Sequence, residues 1–259
     1  MTDSTPVAVV TGGCAGIGWS ISRRLAGEGF RVIAADVVAG ATADPDDGSR
    51  PGSGRGEIEW LKLDVTGHAD VSTAFDGIVE QHGRIDVLVN NAGIQRHGRL
   101  EELPWAEWAA VVDVNLHGVF NCLQAAGRHM LAAGHGAIVN IASVAARGAA
   151  GRAPYAATKA AIVGLTATAG AEWAARGVRV NAVAPGYVAT GVLQQGVAAG
   201  TLNVDTVLAR IPAGRLAEPA EIADMVALLV SERASYVHGQ TFYVDGGFLV
   251  DYGIPLTAR

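Results

Sequence analysis

Tyr155 and Lys159 stand four residues apart in a stretch patterned as a helix, which places them one turn apart on one face. A free phenol ionises near pH 10 and is a poor base at neutral pH. An ammonium one turn away stabilises phenolate and draws that value toward the working range, so the pair suits removal of a proton from a substrate hydroxyl. Ser143 closes an apolar run read as a strand. Its hydroxyl therefore sits at a strand tip, placed to hydrogen-bond the substrate oxygen and hold it near the phenol. Each residue also has a plainer reading: a loop serine, an aromatic in the first helical turn after Pro154, a solvated helix lysine.

A second motif gives the set its context. Residues 11–18, TGGCAGIG, follow an apolar run and open a helical pattern. Gly12, Gly16 and Gly18 let the backbone turn sharply and approach a pyrophosphate, whose charge the helix N-terminus stabilises. Asp36 lies at the tip of the next strand, 18 residues after Gly18, as dinucleotide binding requires. A carboxylate there accepts hydrogen bonds from the adenosine ribose and repels a 2′-phosphate. Its neighbours Ala15 and Val37 carry no positive charge, so NAD is favoured over NADP. Arg50 and Arg55, in the loop that follows, can swing toward the adenosine and keep NADP open.

The elements that must position these groups can be read from pattern and composition. The chain has 259 residues, 50% hydrophobic and 17% charged, which excludes a disordered chain. Its 34 glycines are about 13% of it, against roughly 7% in average proteins, and their lack of a three-residue period excludes collagen. A net charge of -6 argues against a nucleic-acid partner. Two cysteines, Cys14 and Cys122, make no disulfide framework and point to a reducing, cytoplasmic setting. The acidic start is no signal peptide, and the longest apolar stretch, 160–171, is too short to span a membrane. Strand-like runs at 7–11, 31–36, 58–65, 85–90, 137–143, 178–184 and 241–244 alternate with helical patterns at 18–28, 69–82, 105–133, 155–175 and 220–231. This predicts an α/β fold, a doubly wound parallel seven-stranded sheet with helices on both faces. No linker divides the chain, so 1–259 reads as one domain. The Gly/Pro/Asp-rich segment 39–56 is expected to be a mobile loop, and 187–214 a substrate lid.

Together, TGGCAGIG, Asn90-Asn91-Ala92-Gly93, Asn115, Ser143, Tyr155-x-x-x-Lys159, Pro185-Gly186 and Val244-Asp245-Gly246-Gly247 resemble a short-chain dehydrogenase/reductase over essentially the whole chain. The resemblance implies a Rossmann fold, a nicotinamide cofactor, and hydride exchange with a secondary alcohol or ketone. It implies that Asn115, Ser143, Tyr155 and Lys159 are catalytic, Asn115 by anchoring a water that links Lys159 to solvent. An asparagine capping a local kink is the plainer reading. By the same resemblance, Asp64 and Val65 hold the adenine, and Asn91, Ala92 and Gly93 line the ribose and fasten the fourth strand. Ile17 packs beneath the nicotinamide, while Pro185, Gly186, Val188 and Thr190 lie against its carboxamide side, and Cys14 fills a variable place in the phosphate turn.

Substrate contacts are expected from Ile94, Gln95, Val144, Ala145, Tyr187, Val192 and Leu193, with Ser143 and Tyr155. This mostly small and apolar set, without an evident anion clamp, suits a polyol, sugar or cyclic alcohol better than a multiply charged acid. Exposure of Cys14 would make it open to alkylation. His97 has two readings, a reach to substrate or a solvated loop residue; Trp105 and Trp108 are expected to pack. The seven histidines show no metal-ligand spacing. Family members usually form tetramers, and the tail at 248–250 and 254–256 fits a homotetramer or dimer interface. Three functions stand side by side: an NAD-dependent alcohol dehydrogenase, with a 3-oxoacyl-carrier-protein ketoreductase as its variant; an idle NAD-sensing regulator; and an epimerase or dehydratase, for which the chain is short.

Overall fold

The structure is a computed structural model that describes residues 4–38, 56–191, 193, 200 and 203–250. Residues 39–55 of the expected loop at 39–56, with Arg50 and Arg55, lie outside the described residues, as do Val192 and the tail at 254–256.

The first apolar run forms β1 (Val7–Thr11), buried at every position. It is followed by α1 (Gly16–Gly27), β2 (Arg31–Asp36), β3 (Ile58–Lys62), α2 (His68–His82) and β4 (Val87–Asn90). Then come α3 (Trp105–Val112), α4 (Gly118–Ala133), β5 (Gly136–Ile141), α5 (Ala153–Trp173), β6 (Val178–Pro185), α6 (Val204–Leu208), α7 (Pro219–Val230) and β7 (Thr241–Val244). All seven strands are parallel, in the order β3-β2-β1-β4-β5-β6-β7. The chain starts in the middle, works outward to β3, then crosses back to β4. The crevice beyond the C-terminal ends of β1 and β4 is therefore the place where such a sheet binds ligands.

Each central strand buries both faces, as its unbroken apolar run requires. Val7 and Val9 of β1 face a core that includes Phe75 of α2, Leu123 and Met130 of α4 and Ala169 of α5. Ala8 and Val10 face the opposite core, which takes Ile21 and Leu25 from α1 and Ile222 and Val226 from α7.

Several expected boundaries moved, three of them for a visible reason. The single helix read over 105–133 is α3, a π turn at Asp113–His117, and α4. The third strand ends at Lys62 because Asp64 turns the chain, its Oδ1 accepting Thr66 N at 2.9 Å. The fourth begins at Val87, after Asp86 has spent its carboxylate on Val7 N at 2.8 Å and on Arg84. Trp105 was expected to pack, yet its ring is 78% exposed.

Candidate active site

The turn after β1 is built by its glycines and braced from β4. Gly12 and Gly16 take φ of 59° and 51°, the left-handed region that only glycine enters cheaply. Asn91 Nδ2 donates to Thr11 O at 3.1 Å and Gly12 O at 3.0 Å, while Thr11 Oγ1 accepts from Asn91 N and Ala92 N, both at 3.1 Å. Asn91 thus braces the turn from β4 while also lining the cavity. Helix α1 starts after Ala15 with no side-chain cap and no acid in its first turn, so its leading N–H groups are left for an anion.

Cys14, placed in the phosphate turn by the resemblance, fits there without offering its thiol to the cavity. Its side chain is 1% exposed and its Sγ points at Ala34 O, 3.9 Å away, so it does not face the crevice. Burial, with the charge of Asp36, pushes its thiol up to about 11, the opposite of an alkylation-prone cysteine.

A cavity of about 1220 Å³ runs along the C-terminal edge of the sheet. At one end it is lined by Gly12, Gly16, Ile17, Gly18, Asp36, Asp64 and Val65; midway by Asn91, Ala92, Gly93, Pro185, Gly186, Val188 and Thr190. At the far end lie Ile94, Gln95, Ser143, Val144, Ala145, Tyr155, Tyr187 and Leu193. Asn121 of α4 escaped the sequence reading; its Nδ2 donates to Val65 O at 2.9 Å and so fixes the adenine end. So did a buried relay beneath the site, Asn90 Nδ2 to Asn140 Oδ1 at 2.8 Å and Asn140 Nδ2 to Thr166 Oγ1 at 2.9 Å. Buried asparagines on paired strands were the available signal.

Ser143 follows β5 and caps a 3₁₀ turn, Val144–Arg147, by accepting Ala145 N at 3.1 Å. Helix α5 carries Tyr155 and Lys159, with Nζ 5.6 Å from the phenol ring centroid. Lys159 is no solvated lysine: it is 3% exposed and donates to Ile141 O at 2.6 Å. Burial lowers its pKa to about 8.

The phenol does not behave as expected from its lysine alone. Burial raises Tyr155 above the ordinary tyrosine value, and the opposing influences are its hydrogen bond with Ser143 and the positive charge of Arg152. Lys159 is committed to a main-chain carbonyl and is not among the influences on the phenol.

Asn115 lies in the π turn, fully buried and away from the cavity lining. Its Oδ1 accepts Ile94 N at 2.8 Å, and its Nδ2 donates to Ile94 O at 2.9 Å and Thr158 Oγ1 at 3.4 Å. Thr158 Oγ1 in turn donates to Tyr155 O at 2.9 Å. Asn115 thereby ties the loop after β4 to α5.

The far end is more basic than the sequence reading allowed. Arg147, Arg152 and Arg210 line it, together with His97, Phe248 and Leu249. Burial and the charge of Arg152 lower the pKa of His97.

The cradle fits a dinucleotide. Uncapped amides face the place of a pyrophosphate, a carboxylate stands where ribose hydroxyls would bind, and the Tyr155 phenol lines the far end. A family model described as enoyl-(acyl carrier protein) reductase matches residues 12–249. The chain belongs to the short-chain dehydrogenase/reductase family. This short-chain dehydrogenase is 44% identical to cis-4-hydroxycyclohexanecarboxylate dehydrogenase of Sinomonas cyclohexanicum, over 93% of this chain and 96% of the relative. It is 38% identical to the 3-oxoacyl-[acyl-carrier-protein] reductase FabG of Thermotoga maritima, over 94% and 98%. Among solved structures, a gluconate 5-dehydrogenase from Burkholderia cenocepacia in complex with NADP and tartrate superposes with TM-score 0.85, 38% identity, and coverage of 95% and 96%. The protein is an oxidoreductase working between alcohols and ketones, and it uses a nicotinamide cofactor.

Proposed function

We propose that this short-chain dehydrogenase oxidises a secondary alcohol, reversibly, with NAD as its partner and Tyr155 as the acid/base. The observation that carries this reading is that one cavity holds the glycine turn and Asp36 at one end and Tyr155 beside Ser143 at the other. When bound, the nicotinamide supplies the hydride acceptor. Ser143 and Tyr155 hold the substrate oxygen, and Tyr155 Oη takes its proton as the carbonyl forms; ketone reduction returns that proton. Lys159 places a positive charge 5.6 Å from the phenol ring centroid while protonated. Asn115 keeps Ile94 and α5 in register, which positions the water path its family role implies.

NAD is preferred over NADP because Asp36 faces the cavity and no cation lines the wall around it among the described residues. The segment 187–214 serves as the lid, its Tyr187, Thr190, Leu193 and Arg210 lining the cavity, within a single-domain chain. A homotetramer in the cytoplasm completes the reading, with exposed Trp105 and Tyr243 of the edge strand β7 as apolar surface for a second copy.

The ketoreductase alternative draws on the likeness to the Thermotoga reductase. Retention of both Tyr155 and Lys159 argues against an idle sensor. The test is a panel of polyols, sugars, cyclic alcohols and 3-oxoacyl thioesters followed through NADH and NADPH absorbance. Tyr155→Phe should lower kcat by at least about a thousandfold with NAD binding nearly intact. Residual activity within tenfold of the native enzyme, or better use of NADP, would contradict the assignment.

A further inference from the structure

We propose that the substrate of this dehydrogenase is a hydroxy acid carrying one carboxylate, and that Arg152 is the group that binds the carboxylate. The inference rests on the alcohol-dehydrogenase reading above and narrows it.

The cavity has an uneven distribution of charge. Its two acids, Asp36 and Asp64, both belong to the adenosine end. The end that holds Tyr155 has Arg147, Arg152 and Arg210 and no Asp or Glu in its lining. This concentration of cations occurs in a chain whose net charge is -6. A basic wall inside an acidic protein is not explained by average surface composition; it favours an anion entering that end.

Among these arginines Arg152 is the best placed. It is half-buried and precedes the first turn of α5, three residues before Tyr155. Its charge reaches both Tyr155 and His97, as their shifts show. No carboxylate pairs with it among the described residues; its polar contact is Nη2 to the Tyr187 hydroxyl at 3.5 Å. A half-buried guanidinium left with one long contact to a neutral phenol keeps most of its fork of donors available. Tyr187 is itself held in place edge-on against Phe248, with ring centroids 5.4 Å apart. Arg210 is stacked over that same Phe248 ring, 4.9 Å from its centroid, and contributes field rather than a fixed fork. The acid that fits is a monoanion: one partly buried guanidinium satisfies one carboxylate, while the remaining wall of Val144, Ala145 and Leu193 is small and apolar. A nicotinamide phosphate is not the anion in question, because the adenosine end lies across the cavity at Asp36.

The experiment compares kcat/KM for a panel of linear and cyclic hydroxy acids, each beside its neutral carboxamide, in the native enzyme, Arg152→Met and Arg152→Lys. The acid-to-amide ratio is read within each variant, so a general loss transmitted through Tyr155 cancels. NADH binding, followed by fluorescence, confirms that each variant is folded. The native enzyme should prefer at least one acid over its amide by tenfold or more, chiefly through KM. Arg152→Met should bring that ratio to within about twofold of one, with Arg152→Lys in between. Ratios near one throughout the native panel, a preference that survives Arg152→Met, or a 3-oxoacyl thioester outperforming every acid would overturn the proposal while leaving alcohol oxidation intact. Absence of any NAD-linked alcohol oxidation would instead sink the reading beneath it.

Discussion

At Lys159 a buried charge opposes stability at a single residue. Its pKa is lowered from 10.5 to about 8 because the ammonium is buried with one carbonyl as its hydrogen-bond partner. One pKa unit is about 1.4 kcal/mol, so keeping the charge opposes folding by on the order of 3 kcal/mol below pH 8. Between pH 8 and 10.5 the native state has lost the proton that the unfolded chain still holds, so this group's contribution to stability rises with pH across that window. Lys159→Met should therefore raise stability at pH 7 by about 2 kcal/mol, after roughly 1 kcal/mol is subtracted for the lost Ile141 hydrogen bond. Its melting temperature should also be flatter from pH 8 to 10.5, and turnover should fall at least about a hundredfold. Calorimetry across that range checks it, and a variant less stable at pH 7 would refute it. Tyr155, Lys159 and Ser143 were legible in the sequence because a four-residue helical step and a strand tip bring chemistry together locally. Arg152 was not, since nothing in its neighbourhood of Ala and Gly marks an arginine as facing a cavity rather than water.

At the scale of elements, the π turn between α3 and α4 decides where the loop after β4 lies. It brings Asn115 inward, where the side chain meets both backbone groups of Ile94. Gly118 directly follows, and a methyl group there would come within 2.5 Å of Val65 Cγ2, so the adenine end depends on the same bend. Asn115→Ala leaves the N–H and C=O of Ile94 without those partners and should cost about 2–4 kcal/mol in urea denaturation. Asn115→Asp, which turns a buried carboxylate oxygen toward Ile94 O, should cost at least as much. A loss below about 1 kcal/mol in the alanine variant would show that the tie is replaceable. The strands were readable because central parallel strands need unbroken apolar runs. The π turn was invisible, because one extra residue barely disturbs helical periodicity. The early stop of β3 was equally hidden, since Asp64 ends it through a side-chain turn inside a run that continues to look extended.

For the whole molecule, the parallel order with its reversal between β1 and β4 joins two halves at one crevice, so a ligand spanning that crevice should tighten both. NAD at a hundred times its dissociation constant should add about 2.7 kcal/mol of stability by mass action. For a chain of this size that is a rise in melting temperature of roughly 5–10 °C, with a smaller rise for NADP at equal concentration. An equal or larger shift with NADP would remove the preference assigned to Asp36. The topology itself could be anticipated from alternating elements, because right-handed crossovers leave few choices. Which described residues of the 187–214 segment line the cavity depends on long-range contacts that local pattern does not encode. One last feature lies at the margin of the sheet. Trp19 of α1 stacks on Trp60 of β3, with ring centroids 5.5 Å apart and planes 20° from parallel. Two indoles held this close couple their electronic transitions, so the protein carries a native optical gauge: its circular dichroism reports whether the helix behind the phosphate turn still rests against the outermost strand.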